Sequence, residues 1–327
     1  MVCNLSFKSA TVPNDWKLAN ATLIFKKGSR GDPGNYRLVS LTSVPGKLVE
    51  TIVKNKIVRH IEEHKLLRKS QHGFCNLLEF FEGVNKHVDK GDPVDIVYLD
   101  FQKAFNKVPH QRLLRKLSCH GIRGKILSWI ENWLEDREQW VGINGKFSEW
   151  RGVTSSVPQR SVLEPILFNL FINDLEKGVN SKVAKFVDDT ELLKIVKTKA
   201  DCKELQKDLT KLSDWATKWQ MKFNVGKCKV THIGKNNPNY TYNMMGTNLA
   251  TTTQEKDLGV IVDSSLKTST QCAEQSKKQM GCCKSLKKGQ RIKRRISYCP
   301  YINPWYAHIL YTAYRCDPLI SKKIYWH

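Results

Sequence analysis

The chain has 327 residues, of which 40% are hydrophobic and 26% are charged, which excludes a disordered protein and allows one large domain or two ordinary ones. Lys and Arg outnumber Asp and Glu by 54 to 31, and the net charge of +23 predicts a polyanionic partner, either nucleic acid or an anionic membrane surface. No stretch approaches the roughly 20 apolar residues of a membrane span, and the first residues lack the features of a signal peptide. We therefore expect an intracellular protein of the nucleus or cytoplasm, with reduced cysteines and no membrane partner.

The first third of the chain predicts a hairpin, a helix and a buried strand. Residues 21–43 indicate a strand, a loop rich in Gly, Pro and Asn with basic residues around it, and a second strand. Residues 94–101 form a short apolar run that ends in Asp100, as in a buried strand that enters a site. Between them lies a segment with helical spacing, and one side of this helix is predicted to consist of Leu48, Ile52, Ile57, Ile61 and Leu66.

Helices and strands then follow one another without a regular alternation. Amphipathic helices are predicted at 110–117 and 124–137, and a strongly apolar helix at 161–178. The segment KFVDDTELLKIV predicts two short strands with Asp188 and Asp189 at or beside the turn. The clearest helix starts near Asp201, a candidate N-cap, and strands are predicted in KCKVTHIG and KDLGVIVDSSL. This mixture predicts an α+β fold with helices packed on one face of a sheet.

Three carboxylates could meet in this fold. Neighbouring strands lie only about 4.8 Å apart, so Asp100 at one strand end and the Asp188–Asp189 pair at a turn could share one edge of a sheet. Such a group would repel itself unless divalent cations lay between its members, and two Mg²⁺ ions suit phosphoryl transfer. The alternative is a polar hairpin turn with no chemical role. Spacing alone leaves both interpretations open.

The order of several longer motifs indicates a family. VYLDFQKAFNKVPH, SSVPQRSVLEPILFNLFINDL and KFVDDTEL occur in this order, together with WKLANATLIFKKG, NYRLVSLTS, SQHGF, WATKWQMKFNVGKCKV and EKDLGVIVDSSL. Over roughly residues 10–280 the chain resembles the reverse transcriptase of non-LTR (LINE-type) retrotransposons, especially jockey-like and chicken-repeat-like elements.

The resemblance implies a fold and a division of the chain. It implies the fingers and palm of a right-hand polymerase, with an antiparallel palm sheet packed on helices, in a truncated copy whose thumb is largely missing. The fingers would comprise about residues 1–92 and 113–155, and the palm about 93–112 and 156–270. Residues 281–327 would form a basic, irregular tail. The N-terminal endonuclease of complete elements is expected to be absent.

The resemblance also implies the activity and the site. The activity is RNA-directed DNA polymerisation with two Mg²⁺ ions, or Mn²⁺, on an RNA template and DNA primer with dNTPs; the oligomeric state stays open. Asp100, Asp188 and Asp189 match the metal ligands, and Lys227 matches a possible general acid. The substrate contacts would be Phe101, Phe105, Gln159, Lys26, Lys27 and Arg37, and the primer grip Leu258 and Gly259.

By their residue types alone, several of these positions have simpler explanations. Phe105 would be a core aromatic, Lys227 one surface lysine among many, and Leu258 and Gly259 ordinary strand residues. A lone Gln159 in a loop would carry no meaning.

Several positions depart from the family pattern. The usual PQGSVLGP is PQRSVLEP, so that Arg160 and Glu164 replace glycines, of which the first lets the backbone approach the base pair. Asn106 replaces an aspartate, Val187 an alanine, and a basic fingers loop after Phe74 is missing. We therefore weigh an active polymerase against a catalytically impaired remnant that folds and binds nucleic acid, and favour the second. A host protein that kept the palm as a binding module is a third reading.

Overall fold

The computed structural model describes residues 2–26, 28–71, 73–143, 145–257 and 260–266, without the side chains of Cys3, residues 73–78 and Asp257. The helices are α1 (Val2–Ser9), α2 (Asn14–Lys17), α3 (Val44–Glu63), α4 (Gly73–Asp89), α5 (His110–Cys119), α6 (Gly124–Leu134), α7 (Glu164–Phe171) and α8 (Lys199–Trp219). The longer strands are β1 (Leu18–Phe25), β2 (Tyr36–Leu41), β3 (Val94–Asp100), β4 (Glu138–Ile143), β7 (Lys182–Phe186), β8 (Asp189–Ile195) and β9 (Lys229–Ile233). The shorter ones are β5 (Lys146–Phe147), β6 (Arg151–Gly152), β10 (Asn243–Met244), β11 (Thr247–Asn248), β12 (Ala250–Thr251), β13 (Gln254–Asp257) and β14 (Val260–Asp263).

The N-terminal sheet has the strand order β2-β1-β4-β5, with β6 also paired to β4. Strands β1 and β2 form the predicted hairpin, and β1 runs parallel to β4. The connecting loop turns at Asp32, whose carboxylate accepts the N–H of Gly34 at 2.8 Å. This local bond explains why the Gly/Pro/Asn-rich stretch forms a turn.

The central sheet has the order β12-β9-β3-β8-β7, with β3 antiparallel to both β8 and β9. Strand β3 reads VDIVYLD and is buried along nearly its whole length, as its apolar composition predicts. Val97 and Leu99 join the main core, whereas Ile96 packs with Phe80 and Phe81 of α4 on the opposite face. The α+β class is therefore confirmed, but helices cover both faces of this sheet rather than the one face that the sequence predicted.

Helix α3 is where predicted, but part of its predicted apolar side is wrong. Its N-cap is Ser43, whose hydroxyl accepts the N–H of Gly46. Ile57 and Ile61 are buried as expected, whereas Leu48 and Ile52 are 63% and 43% exposed. The buried stripe instead runs one position later, through Val49 and Val53 among others.

Helix α8 begins with a capping box. The hydroxyl of Thr198 accepts the N–H of Asp201, and the Asp201 carboxylate accepts the N–H of Thr198. Asp201 is therefore the third helical residue rather than the predicted N-cap. The apolar helix predicted at 161–178 is shorter, since α7 ends at Phe171 and the chain continues in turns.

None of the helices in the described ranges is long and apolar enough to cross a bilayer. The cysteines with described side chains, Cys119, Cys202 and Cys228, are free thiols.

Candidate active site

The central sheet brings the predicted aspartates to one edge. Asp100 is the last residue of β3 and lies directly opposite Asp189, the first residue of β8. Asp188 and Val187 form the tight turn between β7 and β8, since Phe186 is already paired with Asp189. The predicted hairpin with the aspartates at its turn is thus present. Val187 has φ +59°, a left-handed conformation that a β-branched residue rarely adopts.

The charges of the site act on one another. Burial raises the pKa of the Asp188 carboxyl, and the neighbouring charge of Asp100 adds to the rise, while Arg37 and Lys227 oppose it. The Nζ atom of Lys227 lies 2.7 Å from Oδ2 of Asp100. Asp100 and Asp188 are therefore close enough to repel each other, and nearby cations partly offset this repulsion.

The segment after α8 delivers Lys227 to this position. It runs beside the end of β3, where the N–H of Gln102 donates to Lys222 O and the N–H of Asn224 donates to Asp100 O, both at 2.8 Å. A turn then follows, in which the N–H of Lys227 donates to Asn224 O at 2.8 Å. The Lys227 side chain is 67% exposed, so it can move without disturbing the core.

Phe101 does not present its ring to this site. Its side chain is 2% exposed and stacks on Phe223 with ring centroids 4.3 Å apart. The substrate contact predicted for Phe101 therefore cannot come from its side chain. Phe105 is half-buried and packs on Phe168 at 4.7 Å, at the rim of the core, where a core role and a pocket role are both compatible with its position.

The N-terminal sheet contributes two of the predicted cations. Partial burial lowers the pKa of Lys26, the charges of Arg37 and Lys227 lower it further, and Asp100 opposes them. These interactions bring Lys26, Arg37 and Lys227 into one positive group beside the carboxylates. Lys27 lies outside the described residues, as do Leu258 and Gly259.

Gln159 is held by one of the residues that depart from the family pattern. Its Nε2 donates to Oδ1 of Asn106 at 2.9 Å, an interaction that an aspartate could also accept. Both residues line a cavity of about 220 Å³ beside the N-terminal sheet. The wall from the N-terminal sheet contains Leu38, Ser40 and Gln139, none of which the sequence singled out. A larger cavity of about 530 Å³ lies on the other side of the same loop, beside Lys107 and Arg112.

Arg160 and Glu164, which stand where the family pattern has glycines, are hydrogen-bonded to each other. Arg160 has φ +65°, in the left-handed region where glycine is favoured, and its side chain is exposed. Its N–H donates to Oε2 of Glu164 at 2.5 Å. Burial raises the pKa of Glu164 to about 7, and the charge of Asp188 adds to this rise. The predicted steric problem at Arg160 is thus accompanied by a backbone conformation unfavourable for arginine.

Glu50 anchors the loop that contains Val162, and the sequence analysis did not single it out. It is 2% exposed on α3, and its carboxylate accepts the N–H of Val162 at 2.7 Å and the Nε1–H of Trp133 at 3.1 Å. Burial raises the pKa of Glu50. The sequence did offer a signal for Glu50, because its spacing places it on the same side of α3 as Val53 and Ile57. A carboxylate buried on that side requires hydrogen-bond partners.

The donors suit a hard divalent cation. Asp100 and Asp188 offer carboxylate oxygens whose mutual repulsion a cation would relieve, and Asp189 lies in register beside them. Within the described residues no group of three or more acidic, His or Cys side chains is already gathered for metal binding. The ammonium group of Lys227 is paired with the Asp100 carboxylate, and this ion pair would have to break before a metal ion could bind there. The residues present therefore fit Mg²⁺ by chemistry.

The predicted loss of a fingers loop falls at the start of α4, whereas the predicted tail falls outside the described residues. Helix α4 begins at Gly73 and continues to Asp89, so the last two residues of SQHGF lie within a helix. The predicted loss of the thumb and the basic tail concern residues beyond 266, outside the described residues.

Residues 24–289 match the family described as "Reverse transcriptase (RNA-dependent DNA polymerase)". The chain belongs to the reverse transcriptase family. Relatives of this reverse transcriptase include the RNA-directed DNA polymerase from mobile element jockey of Drosophila funebris, 29% identical over 290 residues, covering 81% of this chain and 31% of the relative. The probable RNA-directed DNA polymerase from transposon BS of Drosophila melanogaster is 29% identical over 247 residues, 69% of this chain and 27% of the relative.

These relatives identify the reverse transcriptase as one of the non-LTR, LINE type. The chain spans less than a third of the length of both. Among solved structures, apo telomerase of Candida tropicalis truncated from its C-terminal domain has a TM-score of 0.54 at 13% identity, covering 81% of this chain and 58% of that one. This likeness agrees with a fingers-and-palm fold.

Proposed function

We propose that this reverse transcriptase domain synthesises DNA on an RNA template by two-metal nucleotidyl transfer. The observation that carries the proposal is the in-register pair of Asp100 and Asp189 with Asp188 in the adjoining turn, beside a group of basic side chains. The relatives named as RNA-directed DNA polymerases support the template and product classes.

Each part of the site has a task in this proposal. Two Mg²⁺ ions, or Mn²⁺, would stabilise the attacking and leaving oxygens as a primer 3′-hydroxyl displaces pyrophosphate from the α-phosphate of a dNTP. Asp100, Asp188 and Asp189 would hold these ions. Lys26 and Arg37 would neutralise the triphosphate, and Lys227, released from Asp100, would donate a proton to the leaving pyrophosphate.

Nucleotide selection would fall to the neighbouring loop. Gln159, fixed by its bond to Asn106, would contact the incoming nucleotide, and Phe105 would close the pocket below its sugar. The matched motif positions support both roles, and the cavity that Gln159 lines supports the role of Gln159.

Primer extension on an RNA template with dNTPs and Mg²⁺ or Mn²⁺ tests the proposal. The Asp188→Asn variant should lose about a thousandfold in extension rate, because a metal-bound transition state loses several kcal/mol. Asp214→Asn, an exposed carboxylate on α8, is the matched control and should extend normally. Equal failure of the parent and Asp188→Asn, while both still fold, would sink the proposal.

A second candidate function is binding of nucleic acid with little synthesis. The left-handed conformation of Arg160, beside the nucleotide loop, favours it. In this case the parent should bind primed RNA but extend it poorly, and Arg160→Gly should raise the extension rate. An unchanged rate in Arg160→Gly would remove Arg160 as the cause.

A further inference from the structure

Two histidines lie side by side at the C-terminal end of α3. His60 is in the last turn of the helix, and His64 is its C-cap. A spacing of four residues places both side chains on the same face of the helix. Their ring centroids are 4.4 Å apart and the ring planes are tilted by 40°. His64 is exposed and His60 half-buried, and we call these two residues the histidine pair.

Hydrogen bonds determine which nitrogen of each ring carries a proton. Nε2 of His60 lies 2.8 Å from His120 O, and Nδ1 of His64 lies 2.9 Å from His60 O. A carbonyl oxygen only accepts, so each of these nitrogens is the donor. In the neutral rings, Nδ1 of His60 and Nε2 of His64 therefore carry the lone pairs. No described residue donates a hydrogen bond to either lone pair.

The His60 ring is positioned by the turn that follows α5. Gly121 in this turn has φ +80°, and a Cβ atom there would come within 3.0 Å of Nε2 of His60. Glycine thus allows the turn and leaves room for the ring to reach His120 O. His120 has no lone pair to offer, since its Nδ1 donates to Lys116 O at 2.7 Å and its Nε2 accepts the Asn173 amide at 3.1 Å. Only the histidine pair has unused lone pairs in this neighbourhood of the described residues.

The hydrogen bonds of the histidine pair are those of metal-binding imidazoles. A ligating histidine usually donates its other N–H to a backbone carbonyl or a carboxylate, which orients the ring. Neutral imidazole suits Zn²⁺, Ni²⁺ and Cu²⁺, whereas Mg²⁺ prefers oxygen. Metal–nitrogen bonds of about 2.0–2.1 Å require the two nitrogens to lie about 3 Å apart. Rotation of the exposed His64 ring can bring them together without disturbing the core.

The charges along this turn do not exclude a cation. Arg59 and Lys65 are balanced by Glu62 and Glu63, and all four side chains are exposed. The net charge of +23 is therefore not concentrated in residues 59–65. Within the described ranges no third His, Cys, Asp or Glu side chain completes a larger group. Water would fill the remaining coordination positions of an ion held here.

We propose that the histidine pair binds one divalent transition-metal ion that favours imidazole nitrogen, such as Ni²⁺ or Zn²⁺. The bound ion joins the last turn of α3 to its C-cap, and through the bond from His60 to His120 O it also stabilises the contact between α3 and the turn after α5. This site uses none of the aspartates, so it is independent of the proposed function.

Calorimetric titration of the full chain with Ni²⁺, in excess Mg²⁺ and with reduced thiols, tests the inference. Ni²⁺ is the probe because thiolates select Zn²⁺ and Cu⁺, and Mg²⁺ occupies oxygen ligands without competing for imidazole. His64→Ala removes the exposed ring and should weaken Ni²⁺ binding at least about tenfold, because losing a ligand costs no less than losing a group that orients one. His60→Gln should cause a similar loss, although its amide can still donate to His120 O.

Two controls separate the histidine pair from histidine content. His64→Ala combined with Glu62→His restores the number of histidines but places the second ring on the opposite side of α3, so Ni²⁺ binding should stay weak. His87→Gln, on α4, should bind Ni²⁺ as the parent does. Circular dichroism should show the same helix content in every variant. A parent without measurable Ni²⁺ binding, or parent-like binding in both His64→Ala and His60→Gln, would overturn the inference.

The two proposals fail separately. A parent that extends no primer, but whose Ni²⁺ binding depends on the histidine pair, would refute only the polymerase. Normal extension by a parent whose Ni²⁺ binding is insensitive to both single variants would refute only the metal site.

Discussion

The two sheets of this protein differ in how they are covered. Strand β3 of the central sheet is buried at six successive positions, and helices pack on both sides of it. In the N-terminal sheet, β1 alternates between buried and exposed residues toward its middle and is exposed at its end. Among the described residues, the central sheet is therefore the more completely buried of the two. Under the proposed function, the carboxylates at the edge of the central sheet would need to be held rigidly, which burial of β3 favours.

The largest effect on stability should come from truncating a buried aromatic residue, whereas truncating an exposed one should have little effect. Phe168 on α7 is fully buried, so Phe168→Ala should lower the free energy of unfolding by about 3–5 kcal/mol. Phe147→Ala removes an exposed ring and should change it by no more than about 0.5 kcal/mol. Urea denaturation of both variants measures this. A large loss in Phe147→Ala would mean that its ring is structural.

A pH effect sharpens the picture of the central sheet. Burial lowers the pKa of Lys185 on β7 from 10.5 to about 8, although Glu176 lies 3.7 Å away. Between pH 8 and 10.5 the unfolded chain therefore binds more protons, and stability should rise with pH. Relative to Lys185→Met, the parent should gain on the order of 2 kcal/mol across this interval.

The control for this effect is Lys182→Met, which removes an exposed lysine from the same strand. Unfolding free energies of all three proteins, measured by urea titration at several pH values, give the comparison. If Lys185→Met keeps the pH dependence of the parent, another group causes it.

The smallest effect concerns the loop between the two sheets. Arg160→Gly should raise the free energy of unfolding by up to about 1 kcal/mol, because the left-handed conformation costs arginine more than glycine. The gain is limited by the larger entropy of glycine in the unfolded chain. The bond to Glu164 should persist, since it uses the backbone N–H. Thermal unfolding measures the change, and a loss of stability would show that the Arg160 side chain has contacts of its own.

Local patterns in the sequence predicted several of the strands and their hairpins correctly. The β1–β2 hairpin, strand β3 and the β7–β8 hairpin with its aspartates all follow from short apolar runs and turn residues. The buried stripe of α3 was mispredicted because Leu48 and Ile52 are as apolar as the Val49 and Val53 beside them. Tertiary contacts alone decide which of these two pairs faces the core, because the helical spacing allows both.

The matched motifs predicted several positions that meet at the candidate site, but not the contacts between them. The matched motifs singled out Asp100, Asp188, Asp189 and Lys227, yet the ion pair between Lys227 and Asp100 joins positions far apart in sequence. The bond from the Arg160 N–H to Glu164, and the support of Val162 by Glu50, depend on backbone directions that a sequence does not display. The roles of these residues in catalysis stay predictions, as do the fingers and palm boundaries.

The register between β3 and β8 has a consequence for how this site can change over generations. Asp189 faces Asp100 because the turn at Val187 and Asp188 has a fixed length. One inserted or deleted residue there would turn Asp189 to the opposite face while leaving every aspartate in the sequence. Under the proposed function, a one-residue insertion or deletion at this turn should therefore reduce primer extension more than most substitutions there.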